Sequence, residues 1–308
     1  MYLLRAVALL IVLITLFCGA ASAADANKPV IAFAQDTLQN DFRKAQLFEV
    51  RDAVADHPDL RFTYSDAQGQ TSLLIRQIDT FIDQKVAVLI VGTNDESAVV
   101  PVVSKAQRAG IPVIILDRGI VGKDFTTFIN SDNIKIGALG GAYIAERLKG
   151  KGLVLLFEGL QKADVTQLRS KGFLNEMAKH QGIRVIRRTG NYLRKDAVTE
   201  MEKLVAQGTH VDAIFSESDS MLSGVRLVLA KHKIDPRTII MVGCDYTSEA
   251  RDAILQGTQT GSVLFPLGGK KSIEIAREIL AGKPVPKHVS IPVQLITKEN
   301  AGQVPPIF

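Results

Sequence analysis

The feature that most constrains this chain is a repeated alternation of short, unbroken apolar runs with stretches of helical spacing. Residues 113–116 are four apolar β-formers that run straight into Asp117 and Arg118, and residues 239–242 run on through Gly243 and Cys244 to Asp245. Unbroken apolar runs mark strands covered on both faces, as in parallel sheets. Strands are expected at residues 30–34, 61–65, 87–91, 113–116, 126–129, 152–157, 185–188, 213–216, 239–242, 261–264 and 289–296. Between them, residues 70–84 place Leu74, Ile75, Ile78, Phe81 and Ile82 on one helical face. Residues 134–148, 167–179, 197–206, 221–231 and 268–280 behave alike. Such a β-α order predicts an α/β fold of doubly wound parallel sheets.

About 285 residues follow the leader described below, more than one core usually holds, so two lobes are expected. The halves echo each other: LIVGTND (89–95) precedes a helix and then VIILDR, while AIFSESD (213–219) precedes a helix and then IIMVGCD. One boundary is expected near Ser131, with Asp132 as a helix cap. A second near Leu264 would return the chain to the first lobe. The lobes are then residues 28–131 plus 265–292 and residues 132–264 plus 293–308.

Residues 1–23 read as a leader. Arg5 is their one charge, an apolar run spans residues 6–17, and small residues end at Ala21-Ser22-Ala23. That is the pattern of a cleavable secretory signal. The run is about 12 residues, short of the ~20 that span a bilayer. Cys18 could carry a lipid, but the bulky Phe17 before it argues against that. Beyond the leader stands one cysteine, Cys244, read as a small buried core residue. Secretion without an internal disulfide fits a bacterial periplasm. The net charge of +5 is spread along the chain, with no basic block of the kind that binds nucleic acid.

Open α/β sheets bind ligands at the carboxyl ends of their strands. Asp117, Arg118 and Asp245 therefore sit where a site belongs. An aspartate accepts from two hydroxyls, and an arginine donates in a fixed fork. The first strand leads into QDTLQNDFRK, where Asn40 offers an amide and Phe42 a flat apolar face. The plainer alternative is that Asn40 caps the next helix and Phe42 packs in the core. Arg169 opens a helix, Tyr192 sits in a polar loop, and Ser218 and Asp219 follow a strand. Each has a plain structural alternative as a surface, edge or cap residue. No H-E-x-x-H, G-x-S-x-G or P-loop occurs. The five histidines are scattered. Neither catalysis, nor a metal, nor a cofactor is expected.

IAFAQDTLQNDF, IPVIILDR, INSDN, RSKGF, MVGCD and the late Pro266 together resemble the type I periplasmic sugar-binding proteins, most of all the ribose-binding ones. The resemblance covers the chain from about Lys28 to its end. It implies two lobes joined by a three-segment hinge, a ligand clamped between them, and delivery to the permease of an ABC transporter. It carries ligand positions onto Asn40, Phe42, Asp117, Arg118, Arg169, Tyr192 and Asp245. Three positions depart from the family: Arg43 where a second aromatic is common, Ser218 where asparagine is common, and Leu264 where glutamine is common. Those departures point away from ribose itself, toward another sugar, a polyol or a sugar acid that the arginines would suit. The expected partners are that small molecule and a permease, for a protein acting as a monomer. The alternative is a sensing subunit that docks on a histidine kinase or chemoreceptor.

Overall fold

The computed structural model describes residues 27–308; the leader expected over residues 1–23, with Cys18, lies outside the described residues. β1 (Val30–Gln35), β2 (Arg61–Asp66), β3 (Val88–Gly92), β4 (Val113–Leu116) and β5 (Thr127–Asn130) form one sheet. β6 (Lys151–Glu158), β7 (Gly182–Thr189), β8 (Ala213–Ser216), β9 (Ile240–Asp245) and β10 (Gly261–Leu264) form a second. Two late strands complete them, β11 (His288–Ser290) in the first and β12 (Gln294–Thr297) in the second. The sheet orders are β11-β5-β4-β3-β1-β2 and β12-β10-β9-β8-β6-β7, so the two lobes repeat one topology. Helices α1 (Asp41–Ala55), α2 (Thr71–Asp83), α3 (Val100–Arg108), α4 (Asn133–Arg147), α5 (Asp164–Met177), α6 (Arg194–Ala206), α7 (Asp219–Lys231), α8 (Ser248–Gln256) and α9 (Gly269–Leu280) cover both sheets. Apolar clusters lie on the two faces of each sheet, which is why the central strands are apolar throughout.

Two expectations are corrected. The run at 289–296 is two strands, not one, and they belong to different sheets. Ile291 makes the last main-chain bond to the first sheet, donating to Asn130 O at 2.8 Å. Pro292 follows and has no N–H to continue the ladder. The second correction concerns direction: β12 runs antiparallel to β10. The chain leaves β11 and arrives beside Leu264, at the carboxyl end of β10, so it must run back along that strand.

The chain passes between the sheets after Asn130, after Leu264 and after Ser290. α9 returns to the first lobe and packs on α1. Gly268 is its N-cap with φ 77° rather than an interior residue, and Glu49 accepts from the Gly269 and Lys270 N–H groups. In the second lobe α4 and α5 approach through Gly137 and Gly172, where a Cβ would fall 2.0 Å from a backbone oxygen of the facing helix. That approach fixes α5, which carries Arg169 toward the gap between the lobes and Ser170 behind it.

Candidate functional site

The first-lobe wall is built from strand ends. β1 delivers Asp36, β3 delivers Thr93, and β4 delivers Asp117 and Arg118 to one edge of the sheet. Asp117 adopts φ 71°, a left-handed conformation uncommon outside glycine, and its N–H is held by Ile129 O at 2.8 Å. Arg43, in the first turn of α1, is 1% exposed. Its guanidinium lies 2.8 Å from Asp117 Oδ2 and 3.3 Å from Asp36 Oδ1. It also donates to Thr93 O and to Gln46 Oε1, each at 3.2 Å. Arg118 reaches the other oxygen of Asp36 at 3.1 Å. Asp36 thus bridges two buried guanidinium groups. Sequence reasoning passed over it, although it follows β1 as Asp117 follows β4.

Asn40 takes the capping role and also ties the two lobes together. Its Oδ1 caps α1 by accepting from Arg43 N at 3.0 Å, and its Nδ2 donates across to Tyr192 O at 2.9 Å. Ser218 likewise caps α7 through Met221 N at 3.2 Å while lining the gap.

The second-lobe wall is centred on Arg169. It donates to Asn133 Oδ1 and to the Glu217 carbonyl, both at 2.8 Å, and lies 4.4 Å over the Phe265 ring. Tyr192 shares a 2.7 Å bond with Thr166 Oγ1 and faces Arg118 at 5.5 Å. Burial pushes its hydroxyl pKa well up. Asp245 ends β9 with φ 107°. Burial raises its carboxyl well above the usual range; Arg169 pulls it down, and the like charges Asp219 and Asp117 push it up again.

These walls line a narrow cavity of ≈ 20 Å³, room for a water or two with the lobes in this position. Nine of the ten expected residues line it: Asn40, Phe42, Arg43, Asp117, Arg118, Arg169, Tyr192, Ser218 and Asp245. Leu264 does not, and that expectation is corrected. As the last residue of β10 it packs against the Tyr246–Ile254–Ile296 cluster, and the next residue, Phe265, enters the cavity instead. Phe265 stacks on Phe42 with ring centroids 4.9 Å apart. Val165 completes the lining. Asp117 Oδ1 and Arg118 Nε are buried without a hydrogen-bond partner, and unpaired buried polar atoms of this kind are costly.

The lobes are closed on each other. Besides the Asn40–Tyr192 bond, Ser220 Oγ donates to Asp41 Oδ2 at 2.7 Å, and Gly119 N donates to Asp164 Oδ2 at 2.9 Å. Arg43, Arg118 and Arg169 gather here with Asp36, Asp117 and Asp245.

A family model described as "Periplasmic binding protein domain" matches residues 31–284. The ribose import binding protein of Bacillus subtilis is 31% identical over 237 residues, 76% of each chain. An ABC transporter solute-binding protein of Bacillus halodurans, solved with myo-inositol bound, superposes with a TM-score of 0.85 at 27% identity, covering 90% of this chain and 96% of that one. The fructose-binding periplasmic domain of a hybrid two-component system superposes with a TM-score of 0.83 at 26% identity, covering 89% and 92%.

Proposed function

Because the chain belongs to the periplasmic binding protein family, we propose that it captures a neutral sugar or polyol between its lobes and hands it to the permease of an ABC importer. One observation carries this reading. Asp117 from one sheet and Asp245 from the other line the same closed cavity, with Asp117 Oδ1 and Arg118 Nε still unpaired. A polyhydroxyl ligand supplies donors to the carboxylates and an acceptor to the guanidinium. Its C–H faces match the Phe42–Phe265 pair and Tyr192. The relatives named above, on ribose and on myo-inositol, belong to the same ligand class.

The charge pattern speaks against the sugar acid entertained from sequence. Arg43 is engaged by Asp36 and Asp117, Arg118 by Asp36, and Arg169 by Asn133 and the Glu217 carbonyl. An anion entering here would meet the Asp117 carboxylate with no guanidinium wholly free to neutralise it.

The mechanism is hinge closure: the three crossings bend, and the ligand binds the closed form better than the open one. No bond is made or broken, so the reading is of a receptor rather than an enzyme. It places the protein in the periplasm, exported by its leader and acting as a monomer. Calorimetry against pentoses, hexoses, polyols and sugar acids is expected to give one neutral binder at micromolar affinity or better, about −8 kcal/mol. Silence across the neutral compounds, or preference for an acid, refutes it. The similarity to a two-component periplasmic domain supports a second reading, in which the closed form docks on a sensor. Uptake of the labelled ligand by vesicles bearing the cognate permease decides between the two.

A further inference from the structure

Behind the cavity wall two glutamates share one hydroxyl. Ser170 Oγ lies 2.8 Å from Glu158 Oε1 and 2.8 Å from Glu217 Oε1. A serine hydroxyl carries one proton and donates once. Two carboxylates cannot both be satisfied by it, since one contact would then set bare lone pairs against each other. The contacts close only when one carboxyl is an acid that donates to Ser170 Oγ, which in turn donates to the other.

The surroundings choose between them. Glu158 has its own cation, because Arg187 donates to Oε1 at 2.5 Å and to Oε2 at 3.1 Å. Glu217 is fully buried, and its Oε2 accepts the Gly159 N–H at 2.9 Å. The guanidinium of Arg169 is bonded to the main-chain carbonyl of Glu217 rather than to its carboxyl. Other groups face Glu217 from each packed element. They are Glu158 at the end of β6, Arg187 on β7, Tyr192 in the turn after β7 (hydroxyl to Oε2 3.4 Å) and the buried Cys244 on β9. Burial pushes the Glu217 carboxyl up to about 7, Glu158 adds to the rise, and Gly159, Arg169 and Ser170 pull against it.

We infer that Glu217 holds a resident proton and, in that form, is the positioning residue that sets Arg169 and Tyr192 for the ligand. Its carbonyl anchors the guanidinium, and its carboxyl lies against the phenol. When the proton leaves, Ser170 faces two anions and the Glu158–Ser170–Glu217 chain breaks. The wall carrying Arg169 and Tyr192 then loses its support. Affinity therefore weakens in alkaline solution. The role in binding rests on the receptor reading above; the proton itself does not.

Two measurements separate these. In the ligand-free protein, infrared spectroscopy should show a protonated-carboxyl band that fades through neutrality and is lost in Glu217→Gln, while the contributions of Asp219 and Asp245 remain in both proteins. Ribose, fructose and myo-inositol are then titrated separately from about pH 5.5 to about pH 8.5. For whichever binds, wild-type affinity should fall above neutrality by up to about tenfold per pH unit. Glu217→Gln should titrate flat, because its amide donates to Ser170 as the acid does. Glu217→Ala should bind more weakly than Glu217→Gln at every pH. Absence of the band overturns the resident proton. A Gln variant that follows the wild-type pH profile overturns the positioning role. If none of the three binds, the neutral binder found by calorimetry takes their place; a neutral panel with no binder removes that role together with the receptor reading, and the infrared band still reports the proton.

Discussion

At Asp117 the chain turns left-handed immediately after a buried strand, and the turn aims a carboxylate at the cavity rather than at solvent. One oxygen goes to Arg43 at 2.8 Å and the other has no hydrogen-bond partner. Asp117→Ala removes the proposed ligand acceptor and one of the two carboxylates on a fully buried guanidinium. Calorimetry should show binding weakened by roughly 2–5 kcal/mol, the range for breaking a buried charge pair. A second test sits at the end of β10. Phe265→Ala strips the ring that stacks on Phe42 and lies under Arg169, and should cost at least about tenfold in affinity, or ~1.4 kcal/mol. Leu264→Ala should lower thermal stability while leaving affinity within about threefold, because its side chain packs away from the cavity. The contrast marks what was legible. Asp117, Arg118 and Asp245 were readable because an apolar run ending in charge has one natural place, the sheet edge. Asp36 obeys the same rule after IAFAQ and was readable too. Phe265 was not, since the direction a chain takes on leaving a strand depends on what lies beyond the last ladder bond.

Elements were legible where their period is strong and misread where two of them abut. α2 follows its apolar face, and Leu74, Ile78, Phe81 and Ile82 are all buried. Residues 289–296 look like one strand by composition, and nothing local says that Pro292 ends membership of one sheet and begins the approach to another. The antiparallel β12 escaped for the same reason, as its direction is set by where the crossing delivers the chain. Packing between helices shows the converse, a sequence mark whose meaning is tertiary. Gly172 sits where α5 meets α4, and a Cβ there would lie 2.0 Å from Ile134 O. Gly172→Ala must push the helices apart and should cost roughly 1–3 kcal/mol in urea unfolding, despite the better helix propensity of alanine. Because α5 carries Arg169 and Ser170, the same variant should also lose affinity. Loss of stability with affinity intact would show that the spacing of α4 and α5 does not set the site.

At the scale of the whole molecule, two lobes of one topology place the carboxyl edges of two sheets face to face, so acids gather where burial is deepest. The protein tolerates that burial by keeping some of them neutral. Glu217 is raised from 4.5 to about 7, and Asp219 from 3.8 to about 6, burial being the main cause in both. For Asp219 the donors Ser262, Gln259 and Tyr246 N–H pull back against that rise. Both groups lie inside the second lobe, so they stay buried whether or not the lobes are open. The sign follows from proton binding. Between the unfolded and folded values the native state holds the proton and the unfolded chain has released it, so raising the pH draws the equilibrium toward unfolding. The stability these groups leave intact in acid is lost progressively from about pH 4 to about pH 7, on the order of 3 kcal/mol for each at most. Carboxylates lowered by partners, Asp52, Glu202, Glu249 and Glu299, work the other way, but none of them is buried, and ion pairs in contact with solvent contribute little. The ligand-free protein should therefore melt at a higher temperature near pH 5 than near pH 8, opposite to the acid sensitivity of most folded proteins. Glu217→Gln should flatten part of that slope, and Asp219→Asn, which replaces an acceptor of three donors, should flatten another part while lowering stability throughout. A thermal midpoint that rises from pH 5 to pH 8 would mean that the buried acids are already ionised at the acid end and that burial does not hold their protons.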